Sequence, residues 1–340
     1  MSMIEKKLTD DLFQPAKQDK QKSEEISKPS LSFWQDAWRR LKKNRGAVIG
    51  LVAIVAIMLM AFIAPVFSKW DFNDQELMRA NLPPKVKMLE NVEFLGLNGV
   101  DIRGVDQYKM KNVPKDQYFV FGTDGLGRDQ WVRVWKGTQI SLYIAFLAAA
   151  IELIIGVTYG GISGFYGGRV DNIMMRFVEV LMGIPYLILV ILFIIVLKPG
   201  VLSITLALVA TGWIGMARLV RGQVMKLKHQ EYVLSSKTLG STNGRLITKH
   251  LLPNVLGTII ISITFSIPAA IFAEAFLSFI GLGIQPPTAS LGSLISDGFR
   301  SIRIYPHLAI YPSIVMCILL ISFNLLGDGL RDALDPKMRK

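Results

Sequence analysis

Several things are missing from this sequence, and each absence removes a class of function. Cysteine occurs once, at Cys317, so no intrachain disulfide can form and the residue says nothing of redox compartment; inside an apolar run its expected role is packing. No GxxxxGK[ST] loop is present to cradle phosphates, so the chain is not expected to hydrolyse ATP, and energy from ATP has to come through a partner. The three histidines, His229, His250 and His307, form neither HExxH nor another metal-gathering spacing. A G-x-S-x-G elbow and a Ser-His-Asp arrangement are also lacking, which weakens the case for a membrane hydrolase. Charge is scarce at 19% against 51% hydrophobic residues, and the mean hydropathy of +0.40 is too apolar for an ordinary soluble enzyme of 340 residues.

What is there belongs in a bilayer. A spanning helix takes about 20 apolar residues, and six stretches meet or approach that length: Ala47–Phe67, Thr138–Gly160, Ile173–Leu197, Leu202–Val220, Val255–Ile280 and Leu308–Leu326. An even number returns both termini to one side. The first stretch is read as an uncleaved anchor, since both it and the polar region before it exceed signal-peptide lengths. The net charge of +12 follows membrane orientation and not nucleic-acid binding. Arg39, Arg40, Lys42, Lys43 and Arg45 crowd the entrance to the first span and place the amino terminus in the cytoplasm. Arg221, Lys226, Lys228, Lys237, Arg245 and Lys249 after the fourth span, and Arg331, Lys337, Arg339 and Lys340 at the end, agree with that orientation. Ser68–Lys136 mixes acids and bases evenly, as an external segment does.

Residues 1–30 hold too few apolar groups to offset the entropy of ordering and are expected to form a disordered tail. Ser32 is placed to cap a short helix with Trp34, Trp38 and Leu41 at i, i+4 and i+7; it either lies on the inner membrane surface or simply extends the first span. The external segment carries Pro83, Pro84 and Pro114 as breakers and strand-like pieces at Val92–Gly96 and Tyr118–Gly122. A small folded excursion with some β structure is expected, serving either to dock an external partner or as a solvated insertion. Pro185, Pro268 and Pro312 permit kinks within spans. Gly156, Gly160, Gly161, Gly164, Gly167 and Gly168 allow close helix packing. Glu152, Glu179 and Glu274 fall in or near hydrocarbon and must face protein, cavity or interface; Glu152 and Glu274 are the candidates for a translocation path, with an interhelical hydrogen bond as the alternative for Glu152.

The most informative segment joins spans four and five: Glu231-Tyr232-Val233-Leu234-Ser235-Ser236-Lys237-Thr238-Leu239-Gly240, then Arg245, Leu246, Ile247, His250, Leu251, Leu252 and Pro253. Leu239, Leu246 and Leu251 offer apolar contacts, and Ser235, Ser236, Gly240 and Ser241 a patch of small residues that another protein can approach. Gly240 within a helix costs about 1 kcal/mol relative to Ala, so it is expected to end one or to turn sharply. A helix–turn–helix along the membrane follows, as a docking element or as an amphipathic connector lying on lipid.

This loop resembles the hallmark cytoplasmic loop of permease subunits in binding-protein-dependent ABC importers, which has a Glu-Ala-Ala start, a Gly four residues after the second Ala, and an Ile-x-Leu-Pro ending. Gly240, Leu252 and Pro253 match it. Leu234 stands in place of the Glu, Ser235 and Ser236 in place of the alanines, and His250 in place of the Ile; Glu231, about one turn earlier, is placed to substitute for the missing acid. From Phe33 onward the chain is similar to the second permease of the oligopeptide, dipeptide and nickel importers. The similarity is carried by Phe121-Gly122-Thr123-Asp124-Gly125-Leu126-Gly127-Arg128-Asp129, by Gly164-Phe165-Tyr166-Gly167-Gly168-Arg169-Val170-Asp171 with Arg176 and Pro185, by Leu277-Ser278-Phe279-Ile280-Gly281-Leu282-Gly283-Ile284-Gln285-Pro286-Pro287, and by Gly327-Asp328-Gly329-Leu330-Arg331-Asp332-Ala333-Leu334-Asp335-Pro336.

The resemblance implies an all-α membrane protein: six transmembrane helices of the type I ABC importer permease fold, with a small extracytoplasmic insert between helices 1 and 2. The expected organisation is a cytoplasmic tail at 1–30, an interfacial helix and first span at 31–68, the insert at 69–136, a permease core at 137–330 with its coupling loop at 222–253, and a cytoplasmic tail at 331–340. It further implies a multi-pass protein of the cytoplasmic membrane with both termini inside. The partners would be a homologous permease in a heterodimer, two ATPase subunits, an extracytoplasmic solute-binding protein and membrane lipid, with no nucleic acid. The chain would be non-catalytic and bind no cofactor or metal, ATP and Mg²⁺ belonging to the ATPases. Coupling is expected at Glu231, Leu234, Ser235, Ser236, Leu239, Gly240, Arg245, Leu252 and Pro253. Oligopeptide is the expected cargo; dipeptides, nickel and glutathione are alternatives within the class. A self-powered secondary transporter is the alternative outside it, although the internal repeats of that architecture are not apparent.

Overall fold

The computed structural model describes residues 32–90, 94 and 96–335; the expected tail at 1–30, most of Val92–Gly96 and the basic residues after Asp335 lie outside the described residues. Ser32 caps α1 (Phe33–Lys43) in a reciprocal pair with Gln35, accepting from its backbone N–H at 3.3 Å while the Ser32 N–H donates to Gln35 Oε1 at 3.0 Å. Asn44 ends α1 and caps α2 (Arg45–Val66), accepting from the Ala47 N–H at 3.1 Å. At 22 residues α2 rises about 33 Å, enough for a hydrocarbon core of about 30 Å. Four more helices are long and apolar enough to cross a membrane: α3 (Gln130–Tyr166), α6 (Val201–Leu227), α8 (Asn243–Phe279) and α10 (His307–Leu334).

The sixth crossing is a broken one. The sequence predicts a single span over Ile173–Leu197 with a kink at Pro185, whereas the chain forms α4 (Gly168–Met182) and α5 (Tyr186–Leu197) bent by 77°. Pro185 lacks a donor and disfavours helical geometry at Ile184, so the helix stops instead of bending. Pro268 and Pro312 stay inside continuous helices. The largest core joins α2, α3, α8 and α10 with α9 (Leu291–Arg300) through Ile54, Ile57, Trp135, Leu142, Ile271 and Leu319, among others. Cys317, expected in packing, is instead exposed on α10.

Glycines 156, 160 and 164 form a stripe along α3 that meets α6 at backbone distance. A Cβ at Gly156 would lie 2.6 Å from Met216 Cβ, one at Gly164 would lie 2.7 Å from the Arg221 carbonyl, and one at Gly160 would collide with the Ala217 carbonyl. Just past the stripe, Arg221 Nε and Nη2 bind Asp171 at 2.5 and 2.6 Å, and Lys228 Nζ donates to the Gly164 and Phe165 carbonyls. Two residues that read in the sequence as loop charges are thus clamps on the α3–α4 turn.

In the insert, no strand forms among the described residues. Only isolated bridges occur, Lys85 with Asn98, Val100 with Asp106 and Thr123 with Asp129, beside single helical turns at Leu77–Arg79 and Gln107–Met110. Prolines without donors and the turns at Gly96, Gly99 and Gly104 leave no run long enough to pair. The excursion is nonetheless folded: Leu82, Tyr108 and Phe119 are buried together, Tyr108 donates to the Pro83 carbonyl, and Arg79 stacks over Trp70. Burial pushes the Tyr108 phenol pKa up. Within the stretch expected to form the insert, α3 already begins at Gln130 under an Asp129 cap.

Candidate functional site

The segment 231–253, which runs from the end of α6 into the first turns of α8, is held from below by hydrophobic anchors. Val233, Leu246 and Leu251 are buried against Val220 and Val224 of α6 and Val255 and Ile259 of α8. Each such burial contributes about 1.5–3 kcal/mol, so the segment is a rigid part of the bundle. Upon this base sits α7 (Glu231–Thr238), stopped at Gly240, whose φ is +85°. The Ser241 N–H donates to the Ser236 carbonyl at 3.1 Å and the Gly240 N–H to the Lys237 carbonyl at 3.0 Å, a paired helix stop that needs a left-handed residue. Side chains brace the turn: Ser236 Oγ lies 2.9 Å from Ser241 Oγ and 3.2 Å from His250 Nε2. The helix–turn–helix form expected from the sequence is present, with Gly240 as its turn.

Which leucines face out differs from expectation. Leu246 and Leu251 serve the chain's own core, while Leu239 is 88% exposed, joined by Leu234 and Tyr232 at 47% and 44%. Glu231, Ser235, Arg245 and Pro253 are exposed, and Ser236 and Leu252 are half-buried. Neither Glu231 nor Arg245 forms an ion pair among the described residues. The loop therefore presents an apolar tip, flanked by unpaired charges of both signs, on a fixed base. Sequence reading does not single out Val233 as an anchor or Tyr232 as part of the tip; an eight-residue helix has too few turns for periodicity to declare a face.

The two acids proposed for a path part company. Glu274 is wholly buried and receives hydroxyls from Ser141 of α3 at 3.2 Å, Ser278 at 2.8 Å and Ser290, the cap of α9, at 2.6 Å. Ser141 Oγ also accepts from the Leu291 N–H at 3.1 Å. Glu274 thus faces protein on all sides and ties three helices together. Glu152 begins a π-helical turn, Glu152–Gly156, stays half-buried, and faces the Ser266 hydroxyl of α8. Glu179 is exposed and pairs with Arg176 at 2.8 Å.

At the opposite end, Phe121–Asp129 folds into a turn locked by charge. Asp124 binds Arg128 Nε at 2.7 Å and accepts from the Leu126 and Arg128 N–H groups, while Arg133 stands 3.4 Å away as an ion pair without hydrogen-bond geometry. Thr123 Oγ1 accepts from the Leu82 N–H at 2.8 Å and donates to the Arg79 carbonyl. Asp129 caps α3 through the Trp131 N–H, and burial raises its pKa to about 7. Among the described residues no cluster of His, Cys, Asp or Glu is placed to hold a metal.

Comparison with known proteins follows this division. Residues 156–340 match the model of the binding-protein-dependent transport system inner membrane component, and residues 32–84 match the N-terminal TM domain of oligopeptide transport permease C. The chain is 46% identical over 329 residues to the oligopeptide transport system permease protein OppC of Bacillus subtilis, covering 97% of this chain and 98% of that one. It is 44% identical over 337 residues to the dipeptide transport system permease protein DppC of the same organism, covering 97% and 94%. To OppC of Escherichia coli K12 it is 36% identical over 317 residues, covering 93% and 95%.

Proposed function

Since the chain belongs to the family of binding-protein-dependent transport system inner membrane components, as a multi-pass permease subunit, we propose that it forms half of the translocation pathway of an ATP-driven importer for oligopeptides. Oligopeptide cargo rests on the names of the relatives above, OppC and DppC, and on the match of the amino-terminal domain. A homologous permease completes the pathway, two ATPase subunits dock on the loop side, and a solute-binding protein delivers cargo on the insert side. Both termini are cytoplasmic in this reading. The chain itself is not catalytic; ATP and Mg²⁺ act on the ATPases.

One observation carries the coupling role: the α7 loop has an apolar tip open to solvent and a base buried in the bundle. An exposed Leu239 on a rigid mount is a shape for being gripped, and motion imposed on the tip passes to α6 and α8 through Val233, Leu246 and Leu251. Coupling is assigned to Glu231, Leu234, Ser235, Ser236, Leu239, Gly240, Arg245, Leu252 and Pro253. Glu152, half-buried at the π turn, is kept as the path candidate; Glu274 is read as a brace.

The direct test is Leu239→Glu. The variant is expected to insert and melt as the parent does, to lose ATPase subunits on copurification, and to lose uptake of labelled short peptides. Full uptake with Leu239→Glu would remove the loop from the mechanism. Unchanged uptake of every labelled peptide in cells lacking the whole chain would overturn the cargo.

A further inference from the structure

On the loop side a cleft of about 660 Å³ opens between α1, the stretch 253–261 of α8 and the end of α10. Its walls are mainly apolar, formed by Phe33 and Trp34 of α1, Leu256, Gly257 and Ile261 of α8, and Leu334 of α10, with Asn254 and Thr258 as polar members; Arg331 and Asp335 stand at its rim. Three features make it a built cleft. The helix α1 is fixed, because Leu41, Ala47 and Ala333 pack together and Gly329 lies so close to Ala47 that a Cβ there would collide with it. The Asn44 amide also reaches the Asp332 carboxylate of α10 at 3.4 Å. Along α8 the lining runs from Pro253 to Ile261, about 12 Å of helix rise, so it extends from a span's end well into its apolar length.

Charge decides what fits. Arg331 is exposed and has no ion pair among the described residues. Asp335, on the same rim, is already engaged in an interaction of its own. Nearby, α1 and the start of α2 carry Arg39, Lys42, Lys43 and Arg45, while of the acids at this corner Asp36 is taken by Arg40 at 3.0 Å and Asp332 accepts from the Asn44 amide. Trp34 and Trp38 are each about half exposed on α1, as tryptophans at a membrane interface are. A mainly apolar slot that runs into a span, with Arg331 at its mouth and the basic face of α1 beside it, has the form of a phospholipid, chain inward and phosphate at the mouth.

We propose that this cleft is a binding site for an anionic phospholipid of the loop-side leaflet, with an acyl chain between Trp34 and Gly257 and the headgroup on Arg331. This inference does not depend on the coupling role of α7 or on peptide as cargo. The bound lipid fills the angle between the interfacial helix and the two spans it touches, and so fixes how α1 lies on the membrane.

The full-length chain, reconstituted in vesicles, tests it through Trp34 fluorescence, isolated by difference against Trp34→Phe. At equal mole fraction, chain-brominated phosphatidylglycerol should quench Trp34 more strongly than chain-brominated phosphatidylcholine. Arg331→Gln should weaken that preference about fivefold, the effect of one basic residue at a membrane surface, and Arg331→Lys should keep most of it. Gly257→Phe, whose Cβ has room at 3.7 Å from Leu334 Cβ, should shield Trp34 from both lipids. Equal quenching by the two lipids, or a preference untouched by Arg331→Gln, would overturn the proposal. Quenching that develops only once residues 1–31 are removed would also overturn it, giving the cleft to the chain's own amino-terminal segment.

Discussion

The turn at Phe121–Asp129 and the loop at Glu231–Pro253 both carry polar residues, a glycine turn and family signatures, yet they spend their side chains in opposite directions. In the first, Asp124, Arg128 and Thr123 turn inward and are matched within the chain, with Arg133 of α3 closing on Asp124 as an ion pair. In the second, the aliphatic anchors turn inward while Leu239, Tyr232, Glu231 and Arg245 are left to solvent. A signature can therefore record either what a chain needs in order to hold itself or what it offers to others. Burial and pairing tell the two apart where the sequence alone does not.

The contrast can be broken most forcefully at Asp124. Asp124→Ala leaves Arg128 and Arg133, both nearly inaccessible, without their ion-pair partner and with only the more distant Asp297, and the loss of one partner from a buried pair costs about 3–5 kcal/mol. A large drop in melting temperature is expected for the purified protein. No drop would mean that the turn is not self-sustaining, and the two regions would cease to differ.

A second break uses pH. Burial raises the Asp129 pKa from 3.8 to about 7. A folded value above the free one gives a contribution that is full below pH about 4 and is lost as the pH rises toward 7. Over that window the melting temperature of the insert side should fall, by on the order of a few kcal/mol in stability, and Asp129→Asn should flatten the profile. A slope unchanged by Asp129→Asn would place its source elsewhere.

Smaller effects sharpen the comparison from the loop side. Gly240→Ala meets no atom within 4 Å, so its cost comes from the backbone alone, about 1–2 kcal/mol for a side chain at positive φ. It should speed hydrogen exchange at the Ser241 amide and weaken ATPase copurification, with Gly240→Asn milder because Asn tolerates that geometry. The smallest stability change belongs to Leu239→Glu, within about 0.5 kcal/mol as for other exposed substitutions, despite its predicted loss of transport.

Much of this arrangement was legible in the sequence, for identifiable reasons. Spans announce themselves by length and hydropathy, Ser32 by its cap position, Gly240 by the cost of glycine in a helix, and the stripe at Gly156, Gly160 and Gly164 by its spacing. What was not legible depends on distant partners. The cage around Glu274 draws on Ser141, 133 positions away, and the fate of Arg221 depends on Asp171, 50 positions away. The insert's lack of strands follows from prolines and turns too closely spaced for its apolar runs to pair. At the α4–α5 break, hydropathy alone ran on across Pro185, while backbone sterics did not.

Asn44 closes one helix and opens the next with no residue to spare between them. Slack is absent at that corner, so α1 behaves as an outrigger fastened to the first span: when that span rolls about its axis, the beam of Trp34 and Trp38 must swing with it. Force on α1 thereby reaches the bundle through Asn44 and through the contact of Leu41 with Ala333.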